Sequence, residues 1–424
     1  MPLLAPVTTA TGAEAGVLMG LIVPARPRAR LVRHRTTAQD HGSGGRVLGV
    51  SALDVAPDRV LRLAGAPLRV VGRARVYACG ITPYDTTHLG HAATFVWVDT
   101  AVRVLRGLGL TVEVCRNVTD VDDDILAAAR RSEVPYDQLA VVQQFRFDRD
   151  MAALGVRAPD HEPRIHRHVA DVIRLAAQLV DRDRAYVADG SVYFSGADVP
   201  ARAGVDEATA EAAIRDADSD AERAGRRDVR DSVLWQRAAP GEPSWPSPWG
   251  AGRPGWHAGC TAMAMSVLGT SVDLHAGGAD LAFPHHAYEA AQAEAVSDVT
   301  PFARSWMHVG TVGIDGAKMA KSAGNLVLVA DLLEHHRPAA LRTMLLDRRW
   351  SAAWDYTPDL VDAAEVRVDS LYSAAGRPGA SAAAEDAVLD ALLDDLDVPR
   401  ALDVAVESGG TAARAAIRLL GLPA

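Results

Sequence analysis

Two strand-like runs separated by one long helical pattern constrain this chain more than any other feature. RARVYACG (73–80) is β-branched, aromatic and apolar and closes on Cys-Gly. A turn containing Pro83 follows, and apolar residues then recur at helical spacing from about Leu89 to Leu108. LTVEVCRNV (110–118) repeats the strand pattern and runs into the acidic TDVDDD and another helix. Strand, helix and strand in this order put two parallel strands in one sheet with the helix crossing over it. SVDLHAGG (271–278), a helix from about His286, and a buried strand over SWMHVGTVGI (305–314) return to the theme, so the predicted class is α/β.

Between these stretches the pattern changes to amphipathic helices. A hairpin is predicted in AYVADGSVYF, where Asp189-Gly190 separates two β-branched and aromatic runs. Beyond Asn325 the chain is helical and Ala-rich, broken at AAGRPGAS, and no internal repeat occurs. The predicted organisation is a disordered extension over 1–45, the first half of the sheet domain over 46–125 and a mainly helical insertion over 126–230. The second half of the sheet domain, with a lysine-bearing loop, follows over 231–325, and a C-terminal helical domain over 326–424.

Charge narrows the partners. The 424 residues carry a net charge of −10 and a pI near 5.8, without the general basic excess that grips nucleic-acid backbones, so a large RNA is the less expected partner. Cys79, Cys115 and Cys260 are too few and too widely spaced for a disulfide framework, which fits a reducing, cytoplasmic setting. AGVLMGLIVPA, near the start, is too short to span a bilayer and follows no basic segment, so neither signal peptide nor membrane anchor is expected. A monomer is expected.

Of 44 lysines and arginines only Lys318 and Lys321 are lysine, and both lie in GIDGAKMAKSAGN (313–325) between Gly316 and Gly324. A glycine-bounded loop with two ammonium groups can close on a triphosphate and neutralise charge as diphosphate departs. Upstream, HLGH places His88 and His91 about Gly90 at a helix start, where free N–H donors and the dipole attract phosphate, and Gly90 allows a nucleotide to approach. Either stretch alone could be ordinary surface; together, around alternating strands and helices, they are far more specific.

With HLGH and KMAKS as its signatures, the chain resembles a class I aminoacyl-tRNA synthetase catalytic domain. Within that class it is similar to the cysteinyl branch from about Leu61 to Leu371. The blocks that carry the resemblance include YACGITPYDTTHLGHAATF, NVTDVDDDIL, GRPGWHAGC and AGGADLAFPHHAYEAAQAE. The resemblance implies a Rossmann-like sheet domain of the HUP type with a helical insertion and a C-terminal helical domain. It implies activation of L-cysteine by Mg-ATP as cysteinyl-adenylate, with His88, His91, Lys318 and Lys321 acting on the phosphates. The adenylate would be held by Cys79, Gly80, Ile81, Thr82, Thr94, Asn117, Val118, Thr119, Trp256, Gly278, Ala279, Asp280 and Val312. It also implies one zinc ion per subunit on Cys79, Cys260, His285 and Glu289. The spacing of His285 and Glu289 puts both on one face of a helical turn, and two thiolates, an imidazole and a carboxylate suit a tetrahedral zinc. Zinc would separate cysteine from serine, which differ by sulfur against oxygen and are poorly told apart by an apolar pocket. The acids Asp120, Asp122 and Asp123 read as a helix N-terminus favoured by the dipole and receive no catalytic role.

The wording of GITPYDTTHLGHAATF and GNLVLV, followed by WDYTPDL, is closer to the cysteine ligases of mycothiol synthesis, which join cysteine to the amine of glucosaminyl-inositol. The short acidic C-terminal helices agree, because they resemble no basic anticodon-binding module. Two features depart from that pattern. Glu289 stands where those ligases usually lack a carboxylate, and DADSDA (216–221) replaces their Glu-Arg-Gly-Gly-Asp-Pro stretch. The acceptor is therefore expected to be glucosaminyl-inositol or a related small amine, with tRNA as the alternative.

Overall fold

A computed structural model describes residues 59–84, 87–217, 225–319 and 324–423. The predicted extension over 1–45 lies outside them. The first strand, β1 (Ala74–Ile81), leads through a loop into helix α1 (Leu89–Gly107), and α1 leads into β2 (Val112–Val118). Helix α2 (Asp123–Ser132) follows directly. After the insertion come α3 (Trp256–Leu268), β3 (Leu274–Gly278), α4 (Ala287–Ser297) and β4 (Trp306–Val309). The four strands form one parallel sheet in the order β4-β3-β1-β2, with Tyr77 opposite both Cys115 and His275. The chain thus starts in the middle of the sheet and leaves on opposite sides. In such sheets the crevice opens at the carboxyl ends of the strands flanking the reversal, here β1 and β3.

Burial explains the elements. Along α1, Ala92, Phe95, Val96, Trp97, Ala101 and Leu105 are all buried, because the helix lies between the sheet and the C-terminal helices. Those helices run Pro358–Gly376, Ala382–Leu393, Val398–Ser408 and Gly410–Leu420. Leu389, Leu402 and Leu419 join the same core as Val76 and Leu274 of the sheet.

The sheet that begins in the insertion continues beyond it. Its hairpin, Ala185–Ala188 with Ser191–Phe194, turns through Asp189 and Gly190, both at positive φ. It is then extended by Ser232–Arg237 and Gly252–Pro254 into a four-stranded antiparallel sheet. The last two strands lie too far along the chain for a hairpin signal to reveal their pairing.

The run SWMHVGTVGI is also divided. At Gly310 the backbone N–H turns to Trp350 O (2.9 Å), and a Cβ there would stand 2.1 Å from Ala352 O. Val312–Ile314 therefore leaves the main sheet and pairs with Trp354–Asp355 and with Ala317–Lys318. No described helix is long and apolar enough to cross a membrane.

Candidate active site

Pairing of β1 with β2 is regular to Ala78 and resumes, after an irregularity, at Ile81. Cys79 and Gly80 occupy that break. Gly80 N–H donates instead to Asn117 Oδ1 (2.8 Å), and Thr119 N–H donates to Ile81 O (2.9 Å). Such irregularities re-aim a side chain at the end of a strand. Asn117 spends its other amide group on Thr119 Oγ1 (3.1 Å) and Cys260 Sγ (3.4 Å). Thr82 Oγ1 donates to Asp122 Oδ2 (2.8 Å), and Thr94 Oγ1 donates to Gly90 O within α1. Gly278, Ala279 and Asp280 form the turn that ends β3, and Val312 is buried at the start of its short strand.

The buried side chains Cys79, Cys260, His285 and Glu289 come from β1, α3, the kinked segment Ala282–His286 and α4, with donor atoms all within 4.8 Å of one another. His285 Nε2 lies 2.7 Å from Glu289 Oε1, and Cys79 Sγ donates to the same oxygen at 3.2 Å. Trp256, at the first turn of α3, stacks on the His285 ring with centroids 4.2 Å apart. Burial would depress the His285 imidazolium, but Glu289 and Cys260 outweigh it and push the group up to about 10. Burial would likewise raise Glu289, yet His285 and His275 hold it well below the usual carboxylate range. Cys79 is pushed up by burial and by its hydrogen bond with Cys260, whereas that bond draws Cys260 down to about 7. Two sulfurs, an imidazole and a carboxylate converge, and Glu289 Oε2 lies 2.9 Å from His275 Nε2. That donor set fits a dication of intermediate softness.

Four histidines missed by the sequence reading surround this set. His257 Nδ1 lies 2.7 Å from His285 Nδ1, and burial followed by repulsion from His285 lowers it well below its usual value. His275 of β3 is 3.6 Å from Cys79 Sγ, and together with His286 it makes an overlapping set around Cys79 and Glu289. His308 of β4 is 2.8 Å from His286 and is lowered to about 4 by burial, then by His275. The available signal was a single histidine inside an otherwise apolar strand, in VDLHAGG and in WMHVG.

The phosphate-type motifs are brought together by backbone bonds. His88 caps α1, its Nδ1 accepting from Gly90 N–H (3.1 Å), and the His88 and His91 rings are 3.9 Å apart. A Cβ on Gly90 would meet the His88 ring at 2.9 Å, so the glycine is already required by its neighbour. Beyond the lysine loop the chain returns beside this cap: Leu89 N–H donates to Val327 O and Val329 N–H to Thr87 O, both at 3.0 Å. On the other stem Lys318 pairs with Gly313 through its backbone, and Lys321 lies outside the described residues.

Residues 68–366 match the family model described as tRNA synthetases class I (C) catalytic domain. The chain belongs to this family. Its fold is the class I catalytic domain, and it is a ligase of the ATP-dependent synthetase type. Among its relatives, the L-cysteine:1D-myo-inositol 2-amino-2-deoxy-α-D-glucopyranoside ligase of Parafrankia sp. (strain EAN1pec) is 43% identical over 369 residues, covering 84% of this chain and 82% of the relative. The cysteine-tRNA ligase of Legionella pneumophila (strain Paris) is 40% identical over 343 residues, covering 78% and 74%. Among solved structures, methionyl-tRNA synthetase of Mycobacterium tuberculosis with methionyl-adenylate matches at a TM-score of 0.56, 18% identity and coverage of 83% and 82%. At that identity the likeness concerns the synthetase fold alone.

Proposed function

We propose that this enzyme activates L-cysteine with Mg-ATP as cysteinyl-adenylate and transfers the cysteinyl group to the amine of glucosaminyl-inositol. The observation that carries the reading is the buried Cys79, Cys260, His285 and Glu289 set at the carboxyl end of β1. Zinc held there would supply a soft ligand position for the substrate thiol, which a serine hydroxyl fills poorly. The α1 N-terminus with His88 and His91 receives the phosphates. Lys318 and Lys321 neutralise the departing diphosphate from a loop whose return stem is bonded to that same helix start. In this reading Thr82, Thr94, Asn117, Thr119, Trp256 and the turn at Gly278 to Asp280 hold the adenylate at the carboxyl ends of the parallel strands. The relatives named as amino-sugar ligases and the acidic net charge support a small amine as acceptor.

Cysteine-dependent exchange between ATP and labelled diphosphate tests the first step. Glucosaminyl-inositol or tRNA is then offered to the same enzyme while AMP release is followed. Cysteine should support exchange and serine should not, and only the amino sugar should discharge the adenylate. Lys321→Ala should lower exchange by about 100-fold, in the range of lost transition-state charge contacts, with an unchanged thermal midpoint. Discharge by tRNA alone would replace the amine acceptor with RNA.

A further inference from the structure

A cavity of about 420 Å³ opens between the end of the parallel sheet and the insertion, with His285 and Trp256 in its wall. Thr82, Asp122, Asp124 and Gln236 line the same cavity, as do Arg226 and Arg253. We propose that the part of this cavity lined by Asp122 and Gln236 is the acceptor subsite, in which Asp122 binds the ammonium of the incoming amine and takes its proton, while Gln236 bonds its hydroxyl groups. This rests on the amine-ligase reading above and assigns residues to its second step.

Asp122 is only 9% exposed and forms an ion pair with no described residue. Its two oxygens accept one hydrogen bond each, Oδ1 from Ile125 N–H (2.9 Å) and Oδ2 from Thr82 (2.8 Å), leaving a lone pair on each. The neighbouring acid differs: Asp123 is paired with Arg253, which also meets Glu242. A buried carboxylate without a cation is costly unless a ligand supplies one. Its environment agrees, since burial outweighs the Ile125 and Thr82 hydrogen bonds and pushes the carboxyl up to about 7, suited to proton exchange at neutral pH.

Gln236 is the independent observation. It is 7% exposed and lines the cavity, and its side-chain amide bonds to no described residue. The amide is not sealed in the core but is accessible from the cavity, the space a ligand would fill. Carboxylate and amide together match an ammonium beside hydroxyls, the chemistry of an amino sugar. The terminal hydroxyl of an RNA brings no cation to Asp122. Thr82 links Asp122 to the end of β1 and so holds the proton acceptor next to the residues assigned to the adenylate.

The step balances. The ammonium gives one proton to Asp122, and the free amine attacks the cysteinyl carbonyl carbon. The C–N bond forms, the C–O bond to AMP breaks, and the second nitrogen proton leaves with the phosphate of AMP.

Asp122→Asn and Asp122→Ser both keep a side chain able to cap α2. For each, cysteine-dependent exchange is compared with AMP release driven by glucosaminyl-inositol and by hydroxylamine, a nucleophile largely unprotonated at neutral pH. The ratio of amino-sugar transfer to exchange should fall at least about 100-fold, as expected for a lost general base, while hydroxylamine still discharges the adenylate. An unchanged ratio overturns the proposal, including the case in which both rates fall together because Asp122 serves the amino acid's own ammonium. A wild-type enzyme without cysteine-dependent exchange overturns the underlying reading instead.

Discussion

Asp122 carries two duties at the scale of one residue, since the oxygen that caps α2 belongs to a carboxylate on the cavity wall. The sequence reading saw only the helix terminus, because a cap is a local pattern whereas the absence of a cation among the described residues is a tertiary fact. The second duty has a thermodynamic sign. A carboxyl raised from 3.8 to about 7 holds its proton more tightly when folded, so its stabilisation is complete below 3.8 and is lost as pH rises through about 7. That difference corresponds to at most about 4 kcal/mol. Urea unfolding of wild type and Asp122→Asn should show wild type losing about 2–3 kcal/mol more between pH 5 and pH 8. Parallel pH profiles would remove this carboxyl from among the groups that limit stability.

At the scale of elements, the lysine loop is defined by its stems. One is the strand that leaves the main sheet at Gly310, and the other is the segment bonded to Thr87 and Leu89. Val329 is the first residue of the helix Val329–Leu333, and Leu328 before it is extended (φ −85°, ψ 139°), so proline fits position 329 sterically. Val329→Pro removes the bond to Thr87 O and should cost only about 1 kcal/mol in that bond. It should also raise the KM for ATP several-fold in the exchange assay by freeing the return stem. An unchanged KM would show that the tether does not position the loop. The sequence placed HLGH correctly at a helix start, while Lys321 of the second motif lies outside the described residues. It could not show that the segment beyond the lysine loop is bonded to that helix start, because Thr87 and Leu89 are more than 200 positions from Val327 and Val329.

For the whole molecule, Arg342 is the buried junction. It is fully enclosed, and its guanidinium donates to Leu420 O (2.6 Å), Leu154 O (2.9 Å) and Asp99. These partners belong to the C-terminal helices, the end of the helix Tyr136–Ala153 and α1. Arg342→Met keeps the bulk but strands two carbonyls and weakens the pairing of Asp99, so urea unfolding should report a loss of about 3–5 kcal/mol. A loss below about 1 kcal/mol would mean that water replaces the bonds. Nothing in the local pattern around Arg342 distinguished it from the many surface arginines. By itself the sequence determined the α/β class, the order of strand and helix, the hairpin at Asp189-Gly190 and the residue types able to bind metal and phosphate. These are written in side-chain periodicity and in short motifs. Only the tertiary structure decided that the hairpin of the insertion joins a four-stranded sheet, that four further histidines lie around the Cys79, His285 and Glu289 cluster, and that Asp122 and Gln236 line one cavity. Strand order and register bring distant atoms together, and no local spacing encodes them.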